Sequence, residues 1–116
     1  MWHIPSSQRL SKIPRLYETE EIDLPQKVVH LHFLLAGCDW YAVEFDGTDL
    51  FFGFVILHGD LDNAEWGYFS LKELQSLRVA GFLRVDCEME GVWVVRPAGE
   101  IDNIRQAQRW EISLSA

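Results

Sequence analysis

Two apolar runs flank Asp46-Gly47-Thr48-Asp49, and the chemistry of those four residues turns the chain back on itself. Asp and Gly between alternating hydrophobic stretches are the strongest short-range sign of a β-hairpin, because Gly reaches positive φ freely and Asp bonds the backbone ahead of it. The first run, Trp40 to Phe45, places Tyr41, Val43 and Phe45 on one side and Trp40, Ala42 and Glu44 on the other if it alternates regularly. A four-residue loop then pairs Phe45 with Leu50, Val43 with Phe52 and Tyr41 with Phe54, and sets Glu44 beside Phe51 and Ala42 beside Gly53. A two-residue turn at Asp46-Gly47 would shift that register. The second run, Leu50 to Leu57, has Gly53 inside it and falls far short of the roughly 20 residues that cross a bilayer.

Other elements follow from the same patterns. Ser6 or Ser7 caps a short helix through Gln8, Leu10 and Ile13, which Pro14 ends. Glu18 to Asp23 form an acidic connection closed by Pro25. From Val28 to Leu35 every residue except His30 and His32 is apolar, which reads as a strand with Val29, Leu31, Phe33 and Leu35 on one side and Val28, His30, His32 and Leu34 on the other. His58 to Glu65 is a polar loop, Trp66 to Phe69 a short strand, and Ser70 with Glu73 a capping box opening a helix with Leu71, Leu74 and Leu77. Phe82 to Cys87 and Gly91 to Arg96 read as strands, and Asp102 as the cap of a last helix through Ile104 and Ala107.

The expected fold is α+β: an antiparallel sheet of about five to six strands with two or three short helices on one face or at the ends. At 116 residues, 48% of them apolar, the chain fits one domain that buries its own core. Residues 1–15 form an N-terminal helical arm, 16–97 the sheet core and 98–116 a C-terminal helix or tail. The start, Met1-Trp2-His3-Ile4-Pro5, lacks the basic and apolar pattern of a secretory leader, and Cys38 and Cys87 stand far apart. Reduced thiols in a cytoplasmic protein are the expectation.

Charge is concentrated. The net charge is −8, yet residues 16–71 carry eleven acids against Lys27 alone, while residues 1–15 are basic and 72–116 nearly balanced. An acidic surface repels phosphates, so direct nucleic-acid binding is not expected, nor is a membrane; the favoured partner is a protein with a basic surface. Glu18, Glu20, Glu21 and Asp23 form the candidate interaction surface.

Candidate chemistry is sparse. His30 and His32 could share a metal ion if a carboxylate joined them, but no ligand follows at fixed spacing, so two polar positions on a less buried face is the simpler reading. The loop with His58, Asp60, Asp62, Asn63 and Glu65 offers oxygens, yet Ala64 breaks the calcium-loop pattern. No metal and no cofactor is expected. Glu44 stands out inside an apolar strand, where an unpaired buried carboxylate would cost several kcal/mol; strand alternation places it on an exposed face. Cys38 lies beside Asp39, an acid that disfavours its thiolate, and nothing in the sequence marks a base for it. Phosphate loops, nucleophile elbows, helical zinc motifs and dinucleotide fingerprints are absent, which argues against an enzyme more than for one.

Several stretches together resemble an uncharacterised family of small bacterial proteins associated with plasmids and other mobile elements. They are Leu16-Tyr17-Glu18-Thr19-Glu20, Trp40-Tyr41 with Glu44-Phe45-Asp46, Asp49-Leu50-Phe51-Phe52-Gly53, and Glu65 through Gly67-Tyr68-Phe69-Ser70-Leu71 to Glu73-Leu74. Beyond Val85 the resemblance loosens. It implies no activity and no catalytic residue, but its mobile-element setting would suit interference with a host nucleic-acid-handling protein, carboxylates standing in for phosphates.

The leading functional expectation is therefore a non-enzymatic accessory protein that binds another protein through its acidic half. The alternative is a small-ligand binder or metal-assisted acid–base enzyme with a pocket of Tyr17, Glu20, Trp40, Glu44, Glu65 and Tyr68, where aromatic and carboxylate side chains converge from separate strands. A third is self-association through an exposed apolar patch of Trp2, Trp93 and Trp110.

Overall fold

The computed structural model describes residues 3–110. Helix α1 (Ser7–Ser11) opens at Ser6, whose side chain accepts from the Arg9 amide at 3.1 Å. The acidic connection then runs through turns into a single 3-10 turn, Leu24–Gln26, with Pro25 in its first turn. Strands β1 (Val28–Val29), β2 (Leu31–Leu35), β3 (Cys38–Phe45), β4 (Leu50–Ile56) and β5 (Glu65–Ser70) follow. Helix α2 (Leu71–Ser76) begins where Ser70 accepts from the Glu73 amide, as the capping box requires. After it come the short strands β6 (Arg78–Val79), β7 (Leu83–Arg84), β8 (Asp86–Cys87) and β9 (Arg96–Pro97), then helix α3 (Asp102–Gln108).

The expected mixed α+β architecture is present as a five-stranded antiparallel sheet ordered β5-β4-β3-β2-β8. Two small pairs, β1 with β9 and β6 with β7, stand beside it. Each face carries its own core. On the first face Leu31, Phe33, Trp40, Ala42, Phe45, Phe51 and Phe69 meet Ile13, Leu74 and Val85, with Leu10 of α1 and Leu71 of α2 packed over them. On the second, Tyr41, Val43, Phe54 and Ile56 meet Val29, Trp93, Ala98, Ile101 and Ile104, so α3 and the segment before it cover that side.

The hairpin turn forms as its residues dictate. The Asp46 carboxylate accepts from the amide of Thr48, closing an Asx turn, and from those of Asp49 and Leu50, at 2.8, 2.8 and 3.1 Å, while the Asp46 amide donates to the Leu50 carbonyl. Ala42 faces Gly53 and Tyr41 faces Phe54, as alternation predicts. Between them and the turn the register slips: Glu44 pairs with Phe52 and Phe45 with Phe51, because a bulge at Val43 adds one residue to β3. Phe45 thereby joins the first face instead of sharing a side with Tyr41 and Val43, and Val43 and Glu44 fall together on the second.

Four other expectations are corrected. The strand from Val28 to Leu35 breaks at His30: Val29 belongs to the second face and Leu31 to the first, because β1 leaves the main sheet to pair with β9. Phe82 to Cys87 is not one strand, since Ala80 and Gly81 at positive φ fold β6 onto β7 and leave Phe82 exposed. Gly91 to Arg96 is mostly irregular, beginning in a turn in which the Val92 and Trp93 amides both donate to the Met89 carbonyl. Asp102 does not cap α3; Ile101 holds that position, and the Asp102 carboxylate instead engages Arg105 at 2.5 Å.

The tryptophan patch does not assemble either. Trp93 is buried with its indole N–H donating to the Val29 carbonyl at 3.1 Å, Trp110 packs partly buried against the second core, and Trp2 lies outside the described residues. Among the described residues no helix is long and apolar enough to cross a membrane.

Candidate binding site

Where β2 turns away at His30 and β3 bulges at Val43, no strand among the described residues pairs with the flank of β3 beyond Ala42. The N-terminal chain fills that gap. The Pro14 carbonyl accepts from the Phe45 amide at 2.8 Å, and the chain crosses from Ile13 in the first core to Tyr17 and Thr19 beside Glu44 on the second face. Glu44 closes this crossing as a clasp. One carboxylate oxygen accepts from the Tyr17 amide at 2.9 Å, and the other from the Thr19 amide at 3.1 Å and from the Thr19 hydroxyl.

Glu44 is therefore buried, at 4% exposure, rather than facing water, and the bulge is the reason: it rotates Glu44 under the crossing chain. Lys27 is buried too, at 6%, and its ammonium donates to the Thr19 carbonyl and, at 2.9 Å, to the Thr19 hydroxyl. Lysine can only donate, so the hydroxyl must accept from Lys27 and pass its own proton toward Glu44. The order Lys27, Thr19, Glu44 links opposite charges through one hydroxyl and satisfies each of them. Tyr17 sits at φ +71°, a conformation costly for a residue with a side chain, and the bond from its amide to Glu44 holds it there.

The consequence is a concavity of about 400 Å³ lined by Tyr17, Glu20, Lys27, Glu44, Phe52 and Tyr68. Phe52 and Tyr68 come from β4 and β5, paired in one row with Glu44, and their rings lie 5.2 Å apart. Tyr17 and Tyr68 are 60% and 51% exposed. The neighbouring Tyr17 side chain, ahead of desolvation, raises the Tyr68 phenol above its ordinary value. The rim is thus two neighbouring phenols with the exposed Glu20 carboxylate beside them.

Of the residues singled out in the sequence, Tyr17, Glu20, Glu44 and Tyr68 come together here, whereas Trp40 and Glu65 do not. Trp40, Val55 and Glu65 share a row on the first face: Trp40 is part of that core, and Glu65 opens onto a separate concavity of about 460 Å³ with Val55, Leu57, His58, Asp60, Asn63 and Gly67. Glu18, Glu20, Glu21 and Asp23 are all exposed around the crossing. Glu18 accepts from the Arg15 amide, and no described lysine or arginine side chain lies within ion-pair distance of any of the four. The Arg15 guanidinium lies instead at the hairpin turn against Gly47.

Three arrangements were not legible in the sequence. Lys27, the lone base of its region, reads as a surface charge until the chain crossing buries it. His32 is buried with Nδ1 2.6 Å from Glu88 and Nε2 2.7 Å from Asp39, and its ring stacks on Tyr41 at 4.5 Å, so its partners are carboxylates from β3 and from the residue that follows β8. Burial pushes the Tyr41 phenol up to about 12, against the bond it receives from Asn103. His58 meets Cys38: its amide donates to Sγ at 3.3 Å and its Nδ1 stands 3.9 Å from Sγ, with the thiol itself packed into the first core. Burial also pushes the Cys87 thiol up to about 11. Among the described residues no three His, Cys, Asp or Glu side chains are placed to share a metal ion.

A comparison with family models matches residues 6–92 to a family described as a protein of unknown function, DUF2958, and so extends past Val85, where the resemblance read from the sequence loosened. Comparisons with curated proteins and with solved structures give no match. With well over half its length matched, the chain belongs to the DUF2958 family.

Proposed function

We propose that this protein is a binding module for another protein, and that it holds a basic side chain of its partner in the concavity between Tyr17, Phe52, Tyr68 and Glu20. The observation that carries this reading is the exposure of Tyr17 and Tyr68 on the rim of one concavity, over the buried, hydrogen-bonded Glu44, Thr19 and Lys27. Large aromatic side chains held open to water by buried polar contacts serve recognition better than stability. Their π-faces attract a lysine or arginine head, Glu20 adds a carboxylate, and the exposed Glu18, Glu21 and Asp23 extend the same field outward.

The acid–base alternative draws less support from this geometry. Both Glu44 oxygens are occupied by donors of the chain itself, so Glu44 is a poor proton acceptor for a substrate, and Glu65 opens on the other face of the sheet. A partner that ordinarily grips nucleic acid, in a mobile-element setting, suits the binding reading, since its basic groove would accept carboxylates in place of phosphates.

The test is fluorescence anisotropy with a labelled arginine-rich peptide. Binding should weaken steeply with added salt, and reversing Glu18, Glu20, Glu21 and Asp23 together to lysine should lower affinity at least about tenfold. Affinity that is indifferent to both salt and the reversal would remove the acidic surface from the account.

A further inference from the structure

Strand β5 forms the outer edge of the sheet: it pairs with β4 over six consecutive residues without a bulge, and among the described residues nothing pairs with its other side. Edges of this kind are normally blunted by charged side chains, lysine above all, by proline or by a bulge; Glu65-Trp66-Gly67-Tyr68-Phe69-Ser70 carries one charge, at its first residue, and no lysine, proline or bulge. The Leu71 amide donates to the Asp49 carbonyl, which continues the β4–β5 ladder. By antiparallel alternation Phe69, Gly67 and Glu65 then bond toward β4, and the backbone groups of Tyr68 and Trp66 point outward.

Gly67 supplies the second observation. A Cβ on Gly53, directly across from it, would lie 1.8 Å from the Tyr41 carbonyl oxygen, so the chain's own packing demands that glycine. A Cβ on Gly67 would meet nothing within 4 Å among the described residues, and its backbone is not at positive φ. Nothing among the described residues requires a glycine there, although a strand-interior glycine costs stability; such a position often marks the close approach of a ligand or another backbone. The larger concavity lies over Gly67 with Asp60 and Glu65 in its wall, the tyrosine concavity lies on the opposite face, and Tyr68 borders both.

We infer that the partner docks as an extended basic segment pairing with the outer edge of β5, its alternate side chains entering the two acid-lined concavities on either face. Alternation along a strand provides that division, and the carboxylates of Glu20, Asp60 and Glu65 select a basic occupant. This inference rests on the binding reading above and adds the geometry of the bound chain.

The probe is a labelled octapeptide of alternating arginine and threonine, used with the full chain and with two analogues N-methylated on one or the other alternate set of amides. Gly67→Val should keep the thermal midpoint at or above that of the parent while lowering peptide affinity at least about tenfold. One N-methylated analogue should bind like the parent peptide and the other should not. If Gly67→Val and both analogues bind unchanged while the fourfold charge reversal abolishes binding, strand docking is overturned and the binding reading stands. If the octapeptide fails to bind the unaltered protein at low salt, both fall. A concentration-dependent dimer that Gly67→Val dissolves would assign the edge to a second copy of the chain and overturn the proposal.

Discussion

Glu44 shows how one side chain can settle a local structure. Its carboxylate meets three donors from Tyr17 and Thr19, and Thr19 in turn meets the Lys27 ammonium, so removing Glu44 strands two amides, a hydroxyl and a buried positive charge at once. Breaking a buried charge pair from one side costs about 3–5 kcal/mol, more than replacing both partners with apolar groups. Glu44→Ala should therefore lose about 3–5 kcal/mol in chemical denaturation, whereas the exposed Glu20→Ala should stay within about 0.5 kcal/mol. Equal losses for the two would mean that the clasp contributes nothing beyond an ordinary surface carboxylate. The sequence marked Glu44 as an oddity but suggested the wrong environment for it, because regular alternation cannot anticipate a bulge. Lys27 gave no sign at all, since its burial depends on a chain crossing between residues far apart in sequence.

Among the elements, those whose signals are local were legible. The Asp46 turn, the Ser70 cap and the Ser6 cap each depend on neighbours within a few residues, and each forms as its residues imply. The expectations that failed were long-range. Gly91 to Arg96 looks like a strand by composition, yet only Trp93 finds a core, and β2 breaks at His30 because β9 captures the residues before it. The turn also has a pH signature. The amides of Asp49 and Thr48, ahead of that of Leu50, hold the Asp46 carboxyl below its ordinary value. A group whose folded value is depressed stabilises above its unfolded value and loses that contribution as pH falls through the folded one. Thermal midpoints should thus decline below about pH 4 with a component that Asp46→Ala, measured beside the parent, no longer shows. Parallel acid limbs for the two proteins would mean that the carboxylate does not carry the turn.

At the scale of the molecule, the exposed Tyr17 and Tyr68 lie within the acidic half of the chain. Acidity was visible in the distribution of charge along the chain, and four of the six pocket residues were visible as aromatic–carboxylate pairs on separate segments. What could not be read was which face each segment would present: Trp40 and Glu65 carry the same residue types as the true lining but lie on the other side of the sheet. The hairpin and β5 bring Phe52 and Tyr68 into line, the bulge turns Glu44 beneath them, and the crossing chain sets Tyr17 and Glu20 over the top. Backbone amide chemical shifts followed while the arginine–threonine octapeptide is added at low salt measure this most directly. Changes should concentrate at Tyr17, Glu20, Phe52 and residues 65–70, and changes confined to residues 78–96, or spread evenly over the molecule, would contradict the account.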